Sequence, residues 1–381
     1  MASPATGSMR RYDLDAIRVV AFGLLIPYHT SMIFGSMLSS LKADEPSRLF
    51  DLLELASHPW RMMVVFLLSG VTTAIMARKR PIGALWMART KSILTPFVFG
   101  MLFFGAPQAH VVNRLEYGLD VHFARSWMAS FGLGPRLVDG QILANGSLYH
   151  LWFLLYLWAY VSIWLWLAAT FPSTIEKLRC KVNHSLDGLS LFAIPIFVCT
   201  VCRVALYPVF GETLNFCTDA YYHVMCASAF VVGYMIAHEE VVWVRFERAR
   251  RLALALALIA LIANIAEYYL AGIEKTGDVN PVLRSVLQWC AVVAIFGYGR
   301  AYLSRRNGVI AYLNGGVLTY YLTQQVIIIY VGYWFHQAGM LQSWSFVPIT
   351  LITFVACAAV YDVERRLRKL NRDVLFTRSA N

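Results

Sequence analysis

Charge is what this chain has least of. Only 14% of its 381 residues are Asp, Glu, Lys or Arg, against close to a quarter in an ordinary soluble domain, and 59% are hydrophobic. That shortage excludes a soluble globule and points to a polytopic protein of the lipid bilayer. Gly-x-Ser-x-Gly and Walker-type loops are absent, so neither a serine hydrolase nor a nucleotide hydrolase has motif support. Cysteine offers no disulfide framework and no metal site. The seven cysteines are odd in number, and Cys199, Cys202, Cys226, Cys290 and Cys357 sit in apolar runs as small hydrophobes. Met1 to Met9 carries no apolar core of a signal peptide, so it reads as a disordered tail with no cleaved leader.

What is abundant is apolar length. Ten stretches of membrane-spanning length fall at about 16–38, 60–77, 92–112, 148–170, 187–209, 220–237, 252–271, 283–303, 310–334 and 344–361. The net charge of +11 is distributed in alternate loops, which is a signature of membrane topology rather than of nucleic-acid binding. Arg10 and Arg11, the run Arg78 to Lys91, Lys177 to Lys181, Arg245 to Arg251, Arg305 and Arg306, and the C-terminal arginines fall on one side. The opposite loops carry Asp44, Glu45, Asp51 and Glu54, then Glu212 and Asp219, then Glu274 and Asp278. The expected fold is therefore an all-α polytopic membrane protein of about ten transmembrane helices with both termini cytoplasmic. Its divisions are a tail (1–14), a transmembrane domain (15–362) and a basic cytoplasmic tail (363–381). The long third connection, Asn113 to Ser147, falls outside and could cap an external cavity.

Ionisable residues inside such spans are expensive, so each one marks a candidate site. In the first span Asp15, Arg18 and His29 stand out; Arg18 and His29 are 11 residues apart. On one straight helix that spacing puts them about 20° apart in azimuth and about 16–17 Å apart along the axis. Pro27 should bend the helix just before His29 and free a carbonyl. Glu267, Arg203, Gln324 and Gln325 reach the same membrane layer as His29, slightly external of the midplane. Each also has a plainer reading: Glu267 with Arg203 as an ion pair, the glutamines as interhelical bonds, and Ser69-Gly70 as a close helix contact.

Together these residues suit acyl transfer across the membrane. Arg18, Arg300 and the basic loops could pair with the phosphates of a cytoplasmic acyl-CoA, and Asp15 could orient Arg18. His29 would take a proton from an incoming hydroxyl as general base, an acyl-imidazole being the rival course. If the acyl group is succinyl, its carboxylate needs a cation, for which Arg61 and Arg203 are available.

Tyr12-Asp13-Leu14-Asp15-Ala16-Ile17-Arg18, then ten residues and His29, resembles the signature of the membrane acyltransferase-3 family. His58-Pro59-Trp60-Arg61-Met62-Met63-Val64-Val65-Phe66-Leu67-Leu68-Ser69-Gly70 resembles it too. With His150-Leu151-Trp152-Phe153-Leu154-Leu155, the likeness is greatest to the branch that succinylates periplasmic glucans. The resemblance implies O-acyl transfer to a glycan in a bacterial inner membrane, with His29 as the catalytic histidine and Arg18 as the catalytic arginine. It implies acyl-CoA as co-substrate, no resident cofactor or metal, and acyl or glycan contacts from Arg61, Ser69, His150, Trp152, Arg203, Glu267, Tyr321, Gln324 and Gln325. Branches that modify surface polysaccharides carry an acid soon after the span-four Trp; Leu154-Leu155-Tyr156-Leu157 has none. Members commonly have a ninth-span Tyr-x-x-His-type motif, where Tyr320-Tyr321-Leu322-Thr323-Gln324-Gln325 has Gln. O-acetyl transfer to another surface glycan and a ten-span secondary transporter remain the alternatives, and self-association of the chain is open.

Overall fold

The computed structural model describes residues 10–36, 39, 41–115, 122–130, 137–138, 141–142, 148–272 and 279–378. The N-terminal tail up to residue 9, most of the long third connection, and Glu274 and Asp278 lie outside them. The first expected span is two helices, α1 (Tyr12–Gly23) and α2 (Leu25–Phe34), separated at Leu24. Pro27 explains the break: it has no N–H for the carbonyl of Gly23, where α1 stops. Asp13 and Asp15 lie in the first turn of α1, where carboxylates favour the helix dipole.

The chain continues through α3 (Asp51–Ala77) and α4 (Ile82–Gly100), then a π-helical turn over Met101–Gly105 into α5 (Ala106–Leu115). A short helix α6 (Phe123–Ser130) and a two-residue antiparallel pair, β1 (Leu137–Val138) with β2 (Gln141–Ile142), belong to the third connection. Next come α7 (Trp152–Thr170), a polar connecting helix α8 (Pro172–Ser185), α9 (Ser190–Phe210) and α10 (Ala220–Ile236). The last four are α11 (Glu240–Leu270), α12 (Pro281–Tyr302), α13 (Gly308–Gln337) and α14 (Phe346–Arg378).

Among the described residues, the expected spans coincide for the most part with helix. Among the described residues, eight helical stretches are long and apolar enough to cross a membrane. The sixth expected span, α10, is shorter, with 17 residues. The ninth, α13, is long, but Asn314, Thr319, Thr323, Gln324 and Gln325 lower its apolar content. The last helix, α14, runs without a break from the final expected span to Arg378.

Burial sorts the helices into inner and outer. In α12, 72% of the most apolar window is buried, against 17% in α9 and in α14, which present their apolar faces outward as lipid-facing helices do. The inner helices approach closely through glycine. A Cβ on Gly70 of α3 would collide with the Phe230 carbonyl of α10, and one on Gly233 of α10 would collide with Leu67 of α3. This reciprocal contact is the small-residue packing expected at Ser69-Gly70.

Candidate active site

A cavity of about 400 Å³ lies where α2, α3, α7, α10 and α13 converge. Leu25, Tyr28, His29 and Met32 of the broken first span form one wall, His58, Arg61 and Met62 of α3 another. His150 comes from the turn just before α7, Trp152 and Phe153 from its first turn, Tyr321 and Gln325 from α13, and Glu212 from the α9–α10 loop. The sequence-predicted residues His29, Arg61, His150, Trp152, Tyr321 and Gln325 are thus brought together.

Gln324 meets His29 directly: His29 Nδ1 is 2.8 Å from Gln324 Nε2 and 3.1 Å from its Oε1. By turning its amide, Gln324 can serve either tautomer. When Oε1 accepts from Nδ1–H, the lone pair is on Nε2, which has no hydrogen-bond partner among the described residues. An imidazole with one nitrogen held and the other open to a cavity has the geometry that general-base chemistry requires.

Arg61 is the cation nearest this chemistry. Its guanidinium lies 3.5 Å from the centroid of Tyr28, the residue before His29, and only 3% of the residue is exposed. One nitrogen donates to Ser57 Oγ at 3.2 Å, while Nε has no partner among the described residues. His150 is differently placed. Gln108 lies 3.3 Å from its Nδ1 and the Leu322 carbonyl 3.2 Å from its Nε2, and its own carbonyl accepts the Tyr321 hydroxyl. With both ring nitrogens engaged, His150 holds α13 against α7 rather than serving as a second base.

Arg18 stands outside the cavity. It donates to Thr72 Oγ1 of α3 at 2.9 Å and lies 3.8 Å from Asp15 Oδ1. Between it and His29 is an aromatic floor: Phe22, one turn beyond Arg18, packs on Tyr321 at 5.7 Å and Phe153 at 6.0 Å. The α1–α2 break also removes the single straight helix on which the Arg18–His29 alignment was reckoned.

Four expectations change on the structure. Arg300 is held by Glu240 and Glu247, so it is not a free phosphate partner. Glu267 does not pair with Arg203; it accepts the Asn280 amide at 2.9 Å. Arg203 instead reaches Glu212 at 3.5 Å, which removes the ion pair on which the transporter alternative leaned. Ser69 donates to Val65 of its own helix and is absent from the cavity wall.

Sequence reasoning missed the polar end of the cavity. His58 Nε2 is 3.3 Å from Glu212, and its Nδ1 is 3.1 Å from Arg284 of α12, a residue only 1% exposed. Burial pushes the Glu212 carboxyl up, but the attraction of His58, Arg284 and Arg203 outweighs it and holds Glu212 below the ordinary carboxylate value. Arg284 carried a usable signal, an ionisable group near the start of an apolar helix. Glu212 carried none, because His58 and Arg284, which close the group, are far away in sequence.

The folded chain is thus a multi-helix membrane protein with a histidine-centred cavity, and its sequence places it: residues 11–362 match the family defined by an acyltransferase domain, and the chain belongs to that family. Among curated relatives, the glucans biosynthesis protein C of Escherichia coli strain SMS-3-5 is 24% identical over 85% of this chain and 84% of its own length. The proteins of that name from Shigella boydii serotype 4 and Escherichia coli O157:H7 match to the same extent. No solved structure matches the chain. The protein is a membrane acyltransferase.

Proposed function

We propose that this chain transfers a succinyl group from cytoplasmic acyl-CoA to a hydroxyl of a periplasmic glucan, as a ten-span protein of a bacterial inner membrane with cytoplasmic termini. One observation carries the proposal: His29, with Nδ1 on Gln324 and Nε2 free, shares a cavity with the buried cation Arg61. The names of the curated relatives favour a glucan acceptor.

In the proposed reaction His29 Nε2 takes the proton of the glucan hydroxyl as its oxygen attacks the thioester carbonyl. The carbon–sulfur bond then breaks, and the departing thiolate recovers the proton from the imidazolium. Gln324 Oε1 holds Nδ1–H throughout and keeps the reactive tautomer. Arg61 faces the far carboxylate of the succinyl group. Trp152 and Tyr321 offer flat apolar faces of the kind on which sugar rings stack. Arg18, below the aromatic floor, marks the path of the donor arm.

The test is mass-spectrometric detection of succinylated glucan after incubation of purified protein with succinyl-CoA and glucan. Product from the wild type and none from His29→Ala is the expected result. Full activity of the alanine variant would remove His29 as the base, and silence of the wild type with succinyl- and acetyl-CoA alike would remove acyl transfer to glucan.

A further inference from the structure

A second cavity, of about 420 Å³, opens at the end of the bundle that carries the basic loops, away from His29. Its walls are the start of α1 (Arg10, Tyr12, Asp15), the segment after α12 (Tyr302, Arg305, Arg306) and the first turns of α13. Its charge is lopsided. Asp15 is the one acid on the wall, and it is already answered by Arg10, whose Nε donates to it at 2.9 Å, and by Asn314 at 3.1 Å. Arg305 and Arg306 are exposed and make no hydrogen bond or ion pair with any described residue.

The positive end of a 30-residue helix adds to that charge. The Asn307 side chain caps the Val309 and Ile310 amides of α13, and a Cβ on the adjoining Gly308 would meet open space. Two aromatic rings flank the cations: Tyr12 lies beneath Arg10, and the exposed Tyr302 stacks on Tyr298 at 6.0 Å and 17°. A cavity of this size with two uncommitted guanidiniums and flat rings fits an aromatic base bearing phosphate esters.

We infer that this cavity binds the nucleotide end of the acyl donor, with Arg305 and Arg306 on its phosphates. The inference rests on the acyl-transfer reading and relocates the phosphate contacts, since Arg300 is neutralised by Glu240 and Glu247. Position supports it. Asp15 borders both the cavity and Arg18, and the same broken span carries His29 14 residues further on, beyond the break at Leu24.

The same phosphate chemistry could come from an anionic lipid headgroup, so the experiment separates the two. Binding of adenosine 3′,5′-bisphosphate to purified full-length protein in detergent is measured by calorimetry for the wild type, for Arg305→Ala/Arg306→Ala and for the corresponding double lysine variant. Succinyl-CoA and succinyl-pantetheine are then compared as donors. The double alanine variant should bind the bisphosphate roughly tenfold or more weakly, with the KM for succinyl-CoA raised to match, kcat kept and succinyl-pantetheine turnover unchanged. The lysine variant should recover part of the binding.

Equal binding by wild type and alanine variant, or no binding by the wild type, would overturn the assignment. So would displacement of the bisphosphate by phosphatidylglycerol but not phosphatidylcholine, which would give the cavity to a lipid. Arginine-dependent binding without acyl transfer would leave the nucleotide site standing and overturn the acyl-transfer reading instead. Normal transfer with an unchanged KM in the alanine variant would do the reverse.

Discussion

Replacing Arg61 with leucine should change which acyl group the protein prefers. Arg61 is 3% exposed, stacked at 3.5 Å on Tyr28, and one nitrogen donates to Ser57 at 3.2 Å, while its Nε has no partner among the described residues and is available for an anion. A hydrogen bond to a charged group is worth about 1.5–3 kcal/mol, so its loss should lower kcat/KM for succinyl-CoA about 10–150-fold. Acetyl-CoA has no distal carboxylate and should lose little. Leucine is shorter but apolar, and among the described residues Arg61 has no ion-pair partner to strand, so folding should survive the change. Arg203→Leu is the control: it strips Glu212 of a partner 3.5 Å away and should depress both donors together. The assay is thiol release from each donor in the presence of glucan, read as the ratio of the two kcat/KM values. Equal losses with both donors for Arg61→Leu would refute the carboxylate role.

Three further outcomes follow from other contacts. Gln324→Ala frees His29 Nδ1 and should lower kcat about tenfold with little change in KM, as expected for a positioning hydrogen bond worth about 1–1.5 kcal/mol; steady-state kinetics will tell. Gly70→Val drives a side chain into the Phe230 carbonyl and should cost about 3 kcal/mol or more, seen as a lowered thermal midpoint in detergent. For Glu212 the folded-state carboxyl is held below its ordinary value of 4.5, so its stabilising effect is complete above that pH and is lost as pH falls through the folded value. Acid titration of the wild type should therefore loosen the α9–α10 loop below about pH 4.5, while Glu212→Gln should show a flatter profile by hydrogen exchange.

The Gln324 contact also bears on how the chain manages without the ninth-span histidine that its family resemblance led us to expect. An uncharged amide orients the imidazole but does not stabilise an imidazolium as a carboxylate would. In the proposed reaction, proton return to the leaving thiolate would then carry much of that stabilisation, and transfer with the acceptor hydroxyl in place before the thioester opens is the expected course.

Membrane character was fully legible in the sequence, because lipid leaves the backbone no partner but itself and so writes each span as a long apolar run. The break in the first span was legible too, since Pro27 lacks an amide wherever it sits. His29, Arg61 and Gln324 could be picked out because polar groups are costly in an apolar helix and therefore conspicuous. Their partners were a different matter. Arg203 met Glu212 rather than Glu267, Arg300 was consumed by Glu240 and Glu247, and His58 joined Glu212 to Arg284. Helical periodicity fixes azimuth on one helix, but which faces meet depends on how small residues such as Gly70 and Gly233 let the helices cross. Ion pairing over a few ångströms is decided by those crossings, and only the tertiary structure contains them.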